Sequence, residues 1–427
     1  MKKCVFNVFK NGLIKIIQRR RFDNILVNRV EQQVIKRSHP LWKTIDEMCF
    51  NSKNLYNYAN YLIRQEFINN KEYISYMKLN HDLKSHDEYK ACMSQPANCV
   101  LRLLDKNWKS FFNGLKEYEK NPKKFLGKPK IPKYLKKNGR FNWIIPNNTC
   151  YFDEKNEELK FRVRKLQSIK WKCRCIGRLI QVRFVPKGCV YVMEIVSEVE
   201  VPDIPELKGE RILGIDLGVD NLVTATNNIG KQPFIINGKG MKSINQFYNK
   251  RRAKFQSLLP KGSCWSKRLE QITLKRFNRI KNYMHNSSSY IIKWCLEHSI
   301  DTIIIGHNDK WKHNSKMSER VNQNFISIPY NMLIKQLVYK GENIGIRVIE
   351  TEESYTSGTS FLDGEYPCKE NYDKSRRVQR GLFQSGSCLI NSDVNGSLQI
   401  IKKVFPDAFS YGIEVCLTPI IINVTNF

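Results

Sequence analysis

Hydrophobic and polar positions change their period several times along the chain. Val5–Phe9 and Leu13–Ile17 are apolar-basic and rich in β-branched residues, and they predict strands within the first forty residues. From Leu41 to about Glu119 the period becomes helical. Asn54–Ile68 and Ala97–Leu115 each place apolar residues at i, i+3, i+4 and i+7, and Gln95-Pro96-Ala97 marks a helix start. Leu159–Glu200 turns to strands. Arg178–Val185 and Cys189–Val196 alternate, and Pro186-Lys187-Gly188 between them predicts a three-residue hairpin loop with glycine at positive φ. Val201-Pro202-Asp203-Ile204-Pro205 marks a boundary. Beyond it, Arg211–Leu217 predicts a buried strand, with Leu222–Thr226 and Pro233–Ile236 paired beside it. Helices follow over Met241–Leu259 and Trp265–His298, and strands over Thr302–Ile305 and Arg347–Glu350. A helix opens at Ile328-Pro329-Tyr330, and a last one covers Val394–Val404. Strands alternating with helices after an opening hairpin imply a mixed α/β sheet of RNase H type.

Charge adds a partner. Lys and Arg number 72 against 40 Asp and Glu, a formal net charge of +32, while 41% hydrophobic residues leave enough apolar material for proper cores. Such self-repulsion points to a polyanion. Lys120–Arg140 concentrates it. Lys123, Lys124, Lys128, Lys130 and Lys133 alternate with Pro122, Pro129 and Pro132, which forbid a continuous helix, and Phe125 and Tyr134 lie among them. The segment reads as a phosphate-tracking strip, or as a solvated linker. Arg268, Lys275 and Arg279 share one face of the second basic helix, with Leu269, Ile272 and Ile280 elsewhere. No run has the length of a membrane span, no signal peptide is legible, and thirteen scattered cysteines fit a reducing compartment. The expected setting is intracellular.

Two acids carry the candidate chemistry. Ile212-Leu213-Gly214-Ile215-Asp216-Leu217-Gly218 ends an apolar strand in a carboxylate between glycines. A buried carboxylate is costly without a cation, and oxygen ligands suit Mg²⁺. The same residue would also serve as a turn cap. Asp393, in Asn391-Ser392-Asp393-Val394-Asn395-Gly396-Ser397, either answers a helix dipole or is a second ligand. Two-metal phosphodiester hydrolysis needs several carboxylates that converge from distant positions.

Gly214-Ile215-Asp216-Leu217-Gly218-Val219 resembles the first RuvC motif of the TnpB family, transposon-encoded ancestors of the type V CRISPR effectors. Asp393-Val394-Asn395-Gly396-Ser397 resembles their third motif. Tyr355-Thr356-Ser357-Gly358-Thr359-Ser360 resembles the start of their zinc-ribbon insert. The basic segment near Lys128-Pro129 and the hairpin before Pro202 resemble their N-terminal half. The resemblance implies an all-β plus α/β multidomain chain. A β-barrel wedge domain (residues 1–40 and 138–205) would carry an inserted helical recognition domain (41–137). An RNase H-like RuvC nuclease domain (206–427) would follow, with a degenerate zinc-ribbon-like insert at 356–390. It also implies a guide RNA, double-stranded target DNA cut beside a short transposon-adjacent motif, and two Mg²⁺ ions; the sequence leaves the oligomeric state open, with a monomer favoured. A nuclease-inactive guided repressor and a CRISPR-associated effector share this architecture.

Two departures from the family pattern matter. Its second motif ends the middle strand in Glu, where this chain has Gly306 in Ile303-Ile304-Ile305-Gly306-His307. Glu352 or Glu353, after the neighbouring strand, could enter the same place. Strand faces alternate, so only one can point inward, and Glu353 is the choice. The implied metal set is therefore Asp216, Glu353 and Asp393. Zinc-ligand positions hold Ser360, Asp363, Ser385 and Cys388, a set unfit for a tetrahedral thiolate site, so no structural zinc is expected. Lys374, Arg376, Arg377 and Arg380 would keep the insert's DNA contact.

Overall fold

The computed structural model describes residues 24–174, 177–202, 209–308, 327–409 and 417–424. The strands expected at Val5–Phe9 and Leu13–Ile17 lie outside them. Two compact units emerge, Leu26–Glu200 and one built on Val201–Phe427.

In the first unit, strand β1 (Asn24–Ile35) is followed by helices α1 (Trp42–Asn70), α2 (Tyr76–Leu83), α3 (Asp87–Cys92) and α4 (Ser94–Lys120). Then come β2 (Trp143–Pro146), β3 (Cys150–Asp153), β4 (Glu158–Phe161), β5 (Trp171–Lys172), β6 (Arg178–Lys187) and β7 (Val190–Pro202). They form a four-stranded sheet in the order β1-β7-β6-β2 and a three-stranded sheet β3-β4-β5. Side chains of both sheets share one core around Trp143, Phe161, Trp171 and Phe184, into which the first turns of α1 insert Ile45, Met48 and Cys49. Farther along, α1 joins a separate helical core with Leu55, Ala59, Leu101 and Trp108. The hairpin loop is shorter than expected. Lys187 pairs with Val190, so β6 runs through Pro186 and the turn is Gly188-Cys189, with Gly188 at φ +62°. Glycine at the first central position of a two-residue turn supplies the twist that its strands require.

The Lys-Pro strip is tied along α1. Asn57 exchanges hydrogen bonds with the Leu135 backbone, donating at 2.9 Å and accepting at 2.8 Å. Asn60 and Arg64 both donate to the Pro132 carbonyl at 3.1 Å, and Lys53 donates to the Lys137 carbonyl at 2.8 Å. With the backbone held, Lys123, Lys124, Lys128, Lys130 and Lys133 stay exposed.

The second unit contains β8 (Ile212–Leu217), β9 (Asn221–Asn227), β10 (Phe234–Asn237), helices α5 (Lys239–Ser257) and α6 (Lys267–Glu297), β11 (Thr302–Gly306), α7 (Tyr330–Glu342), β12 (Arg347–Thr351), the hairpin β13 (Leu382–Ser385) and β14 (Cys388–Asn391), α8 (Ser392–Val404) and β15 (Ile420–Ile422). One six-stranded sheet runs β12-β11-β8-β9-β10-β15. β8, β9 and β10 are successively antiparallel, while β11 lies parallel to both β8 and β12. This is the RNase H-type mixed sheet expected from the sequence.

Strand alternation sorts the faces. Leu213, Ile215, Leu217, Ile303 and Ile305 enter a core with α5, α6 and α7. Ile212 and Ile304 pack with Ile400 and Ile401 of α8 on the other face, the face of Gly214, Asp216 and Gly306. No helix among the described residues is long and apolar enough to cross a membrane.

Candidate active site

Helix α8 lies unusually close to β8, and two glycines make that possible. A Cβ on Gly214 would fall 2.5 Å from Ile401 Cγ1 and 2.7 Å from the Ser397 carbonyl oxygen. The Ser397 hydroxyl donates to the Gly214 carbonyl at 2.9 Å and sits 2.9 Å from the Thr226 hydroxyl. One turn nearer the helix start, a Cβ on Gly396 would stand 3.2 Å from Asp216 Oδ2. The Asp216 carboxylate thus occupies the space that the missing side chain leaves.

Asp393 comes from the first turn of α8, whose N-terminus is capped by Asn391, accepting from the backbone N–H of Asp393 at 2.9 Å and of Val394 at 3.2 Å. Across the β8–β9 turn, Asn221 donates to Asp393 Oδ2 at 2.7 Å. Burial, and then the negative charge of Asp393, push the Asp216 carboxyl up to about 7, with Arg377 pulling the other way. Carboxylates so placed crowd each other's charge, and a divalent cation would relieve it.

Glu353 follows β12 on the same face. Gly306 pairs with Thr351 across the parallel ladder, and a Cβ on Gly306 would lie 3.3 Å from Glu353 Cβ. A side chain at 306 would meet Ile400 first and then the Glu353 side chain, which stands beside that position. Glu352 is exposed and accepts from the Ser354 hydroxyl instead. The buried Tyr330, whose hydroxyl donates to the Gly218 carbonyl at 3.0 Å, has its phenol pushed well above the usual range by burial and by the charges of Asp216 and Glu353. All three acids thus lie around the carboxyl ends of β8 and β11 and the start of α8. Among the described residues no three His, Cys, Asp or Glu side chains close on a single ion position. Asp216 and Asp393 fit a cation by chemistry and by crowded charge, and Glu353 by its oxygen donors alone.

In the insert the arginines meet carboxylates of the same chain. Arg380 pairs with Asp220, which Lys242 also holds, and Arg377 lies 3.9 Å from Asp393. Arg376 is taken up by Glu365 at 2.8 Å and Asp363 at 3.7 Å. At the positions expected for zinc ligands, the buried Ser360 and Ser385 hydroxyls hydrogen-bond each other, and Asp363 accepts from the Gly386 N–H at 3.1 Å. Cys388 is exposed. Arg268, Lys275 and Arg279 are exposed on α6. Sequence reasoning missed Asn221, Tyr330 and the space made by Gly396. Only Gly396 left a signal, as the small residue one turn after Asp393.

Residues 194–312 match the family model OrfB_IS605, described as a probable transposase, and residues 330–400 match the TNB domain of Cas12f1-like proteins. No curated protein matches the chain. Among solved structures, a Cas12f1–sgRNA–target DNA complex is 15% identical with a TM-score of 0.36, covering 87% of this chain and 98% of that one. CasPhi-2 (Cas12j) bound to crRNA and phosphorothioate-DNA is 10% identical with a TM-score of 0.42, covering 94% and 96%. The two family matches follow one another in chain order, the first containing Asp216 and the second Glu353 and Asp393, and over these stretches the chain is similar to transposon-type OrfB_IS605 and Cas12f1-like proteins.

Proposed function

We propose that the chain is an RNA-guided DNA endonuclease that hydrolyses phosphodiesters in a RuvC-type site. The observation that carries this reading is the approach of Asp216 and Asp393, brought together from opposite ends of the second unit, with Glu353 next to the end of the neighbouring strand β11. A divalent cation bound there, Mg²⁺ for an all-oxygen donor set, supplies Lewis acidity toward the phosphate and lowers the pKa of water. Asp216, Glu353 and Asp393 would hold it, as a pair of ions shared among the three. Asn221 holds the Asp393 carboxylate, α8 and β8 set the approach of the two aspartates, and the buried Tyr330 lies within the field of Asp216 and Glu353.

The exposed lysines from Lys123 to Lys133 suit the backbone of a guide RNA or heteroduplex, recognised by charge and shape. Residues 1–40 with 138–205 would act as the wedge, 41–137 as the recognition part, and 206–427 as the nuclease. Arg377 would exchange Asp393 for DNA phosphate once cations occupy the acids, and Arg380, paired with Asp220 outside that set, would contact phosphate beside it. Target choice would come from base pairing beside a short adjacent motif.

The test is to purify the chain with transcripts of its flanking locus, sequence the bound RNA, and challenge a plasmid library in Mg²⁺. Guide-directed cuts beside a fixed motif support the reading, and absence of bound RNA contradicts it. Gly306 favours one rival, a guided binder without cleavage. Bound RNA and target occupancy with no cuts would establish that rival.

A further inference from the structure

Helices α5 and α6 carry a surface that the nuclease site does not use. From Lys250 to Lys281 the chain has eleven Lys and Arg residues and a single acid, Glu270. Among the described residues, no carboxylate lies within ion-pair distance of Arg251, Arg268, Lys275 or Arg279. Aromatic rings are interleaved with these cations. The Arg251 guanidinium sits 5.4 Å from the Phe247 ring centre and 5.5 Å from that of Phe255, and Arg268 lies 5.5 Å from Phe255 on its own account. Phe247 is 53% exposed and Trp265 is 56% exposed. Arg276 belongs to the scaffold instead, since it donates to Asn245 at 2.7 Å and to the Ser327 carbonyl at 3.1 Å.

Between the two helices is a cleft. Ile244 and Ile272 give it apolar lining, Phe247 an aromatic wall, and Arg251, Lys275 and Arg279 cationic groups. Cations without acids need a polyanion, but cations alone do not need rings. An exposed ring beside an apolar lining offers a face to a flat apolar group, and unpaired bases are the flat apolar groups that come attached to phosphates. A duplex keeps its base faces stacked on one another and has none to offer.

We propose that the α5–α6 cleft is a stacking site for a single-stranded stretch of nucleic acid. Phe247 takes a base face, and Arg251, Lys275 and Arg279 hold the flanking phosphates. The inference rests on the reading of the chain as a nucleic-acid-binding protein, and is independent of cleavage.

The experiment uses the full chain, purified free of nucleic acid and kept in chelator so that no cutting occurs. Labelled oligothymidine and a duplex of equal length are titrated at several salt concentrations. Phe247→Ala is expected to weaken oligothymidine binding by roughly five- to a hundred-fold, with its salt dependence kept, and to leave duplex binding little changed. Phe247→Trp restores binding. Lys275→Ala and Arg279→Ala each lower the slope of log affinity against log salt by about 0.7 for the single strand. Phe247 is exposed, so an unchanged unfolding temperature confirms that its variant is folded. Wild-type binding by Phe247→Ala, or equal losses for single strand and duplex, overturns the proposal and leaves the nuclease reading intact. No nucleic-acid binding by the unaltered chain would instead sink the reading on which the inference rests.

Discussion

Gly306→Glu would place the family's usual carboxylate at the end of β11, and it is expected to disable the site. A Cβ at 306 would stand 2.4 Å from Ile400 Cδ1 and 3.0 Å from Ile400 Cγ1. The first distance is roughly 1 Å short of ordinary carbon–carbon contact. Ile400 is fully buried with Ile212, Ile304 and Ile401, so it cannot swing aside without disturbing α8. Overpacking of this kind costs about 1–3 kcal/mol, and Gly306→Ala alone should show it in urea unfolding. Ile400→Val removes Cδ1 and by itself costs about 0.5–1.5 kcal/mol. Combined with Gly306→Ala it should give a compensating coupling of about 0.5–3 kcal/mol. Gly306→Glu further sets a carboxylate against Glu353, whose Cβ is 3.3 Å from the new Cβ, so guided cleavage should fall as well. An unchanged urea midpoint for Gly306→Ala would refute the packing. Gly306→Glu cleaving as fast as the parent with Glu353 in place would refute the claim that Glu353 has taken this place.

Gly396→Ala presses a methyl group against Asp216 Oδ2, and is expected to slow cleavage by about ten- to a hundred-fold in a single-turnover assay with little change in target binding. Ser360→Ala leaves the buried Ser385 hydroxyl without its partner, and should destabilise the insert by about 1–3 kcal/mol in urea unfolding, while added chelator leaves that transition in place. Hydrogen bonds from Arg140 first, and from the Tyr191 hydroxyl, hold the Asp46 carboxyl below its usual range against the opposing effect of burial. Its stabilising effect is therefore complete above the unfolded value of about 3.9 and disappears as pH falls through the depressed folded value. Asp46→Asn should flatten that acid limb in a thermal-unfolding series of the chain.

Much of the second unit was readable because its strands are apolar runs with an unambiguous outcome. Arg211–Leu217 became β8 within one residue, and the alternation that buries Leu213, Ile215 and Leu217 turns Asp216 toward α8. The same parity explains why Glu353, and not Glu352, approaches Gly306. Short strands were not readable. β5 has two residues and β15 three, and such pieces are fixed by a partner's edge, which leaves no periodicity. The hairpin loop was misjudged because proline suggests a turn, although Pro186 still pairs with Tyr191 at the end of β6. Asn221 reaches Asp393 across 172 positions, and a local pattern carries no trace of that. Arg377 and Arg380 were legible as charge, but their carboxylate partners depend on how the insert folds back over the sheet.

The central claim is that Asp216, Glu353 and Asp393 form one site. Its most direct measurement is the guided cleavage rate, in Mg²⁺, of the RNA-loaded chain carrying Asp216→Ala, Glu353→Ala or Asp393→Ala, with target binding measured in parallel. All three are expected to bind target like the parent and to lose cleavage by roughly two to three orders of magnitude. Parent-like cleavage by Glu353→Ala alone would contradict the account, leaving a two-aspartate site whose third ligand lies elsewhere.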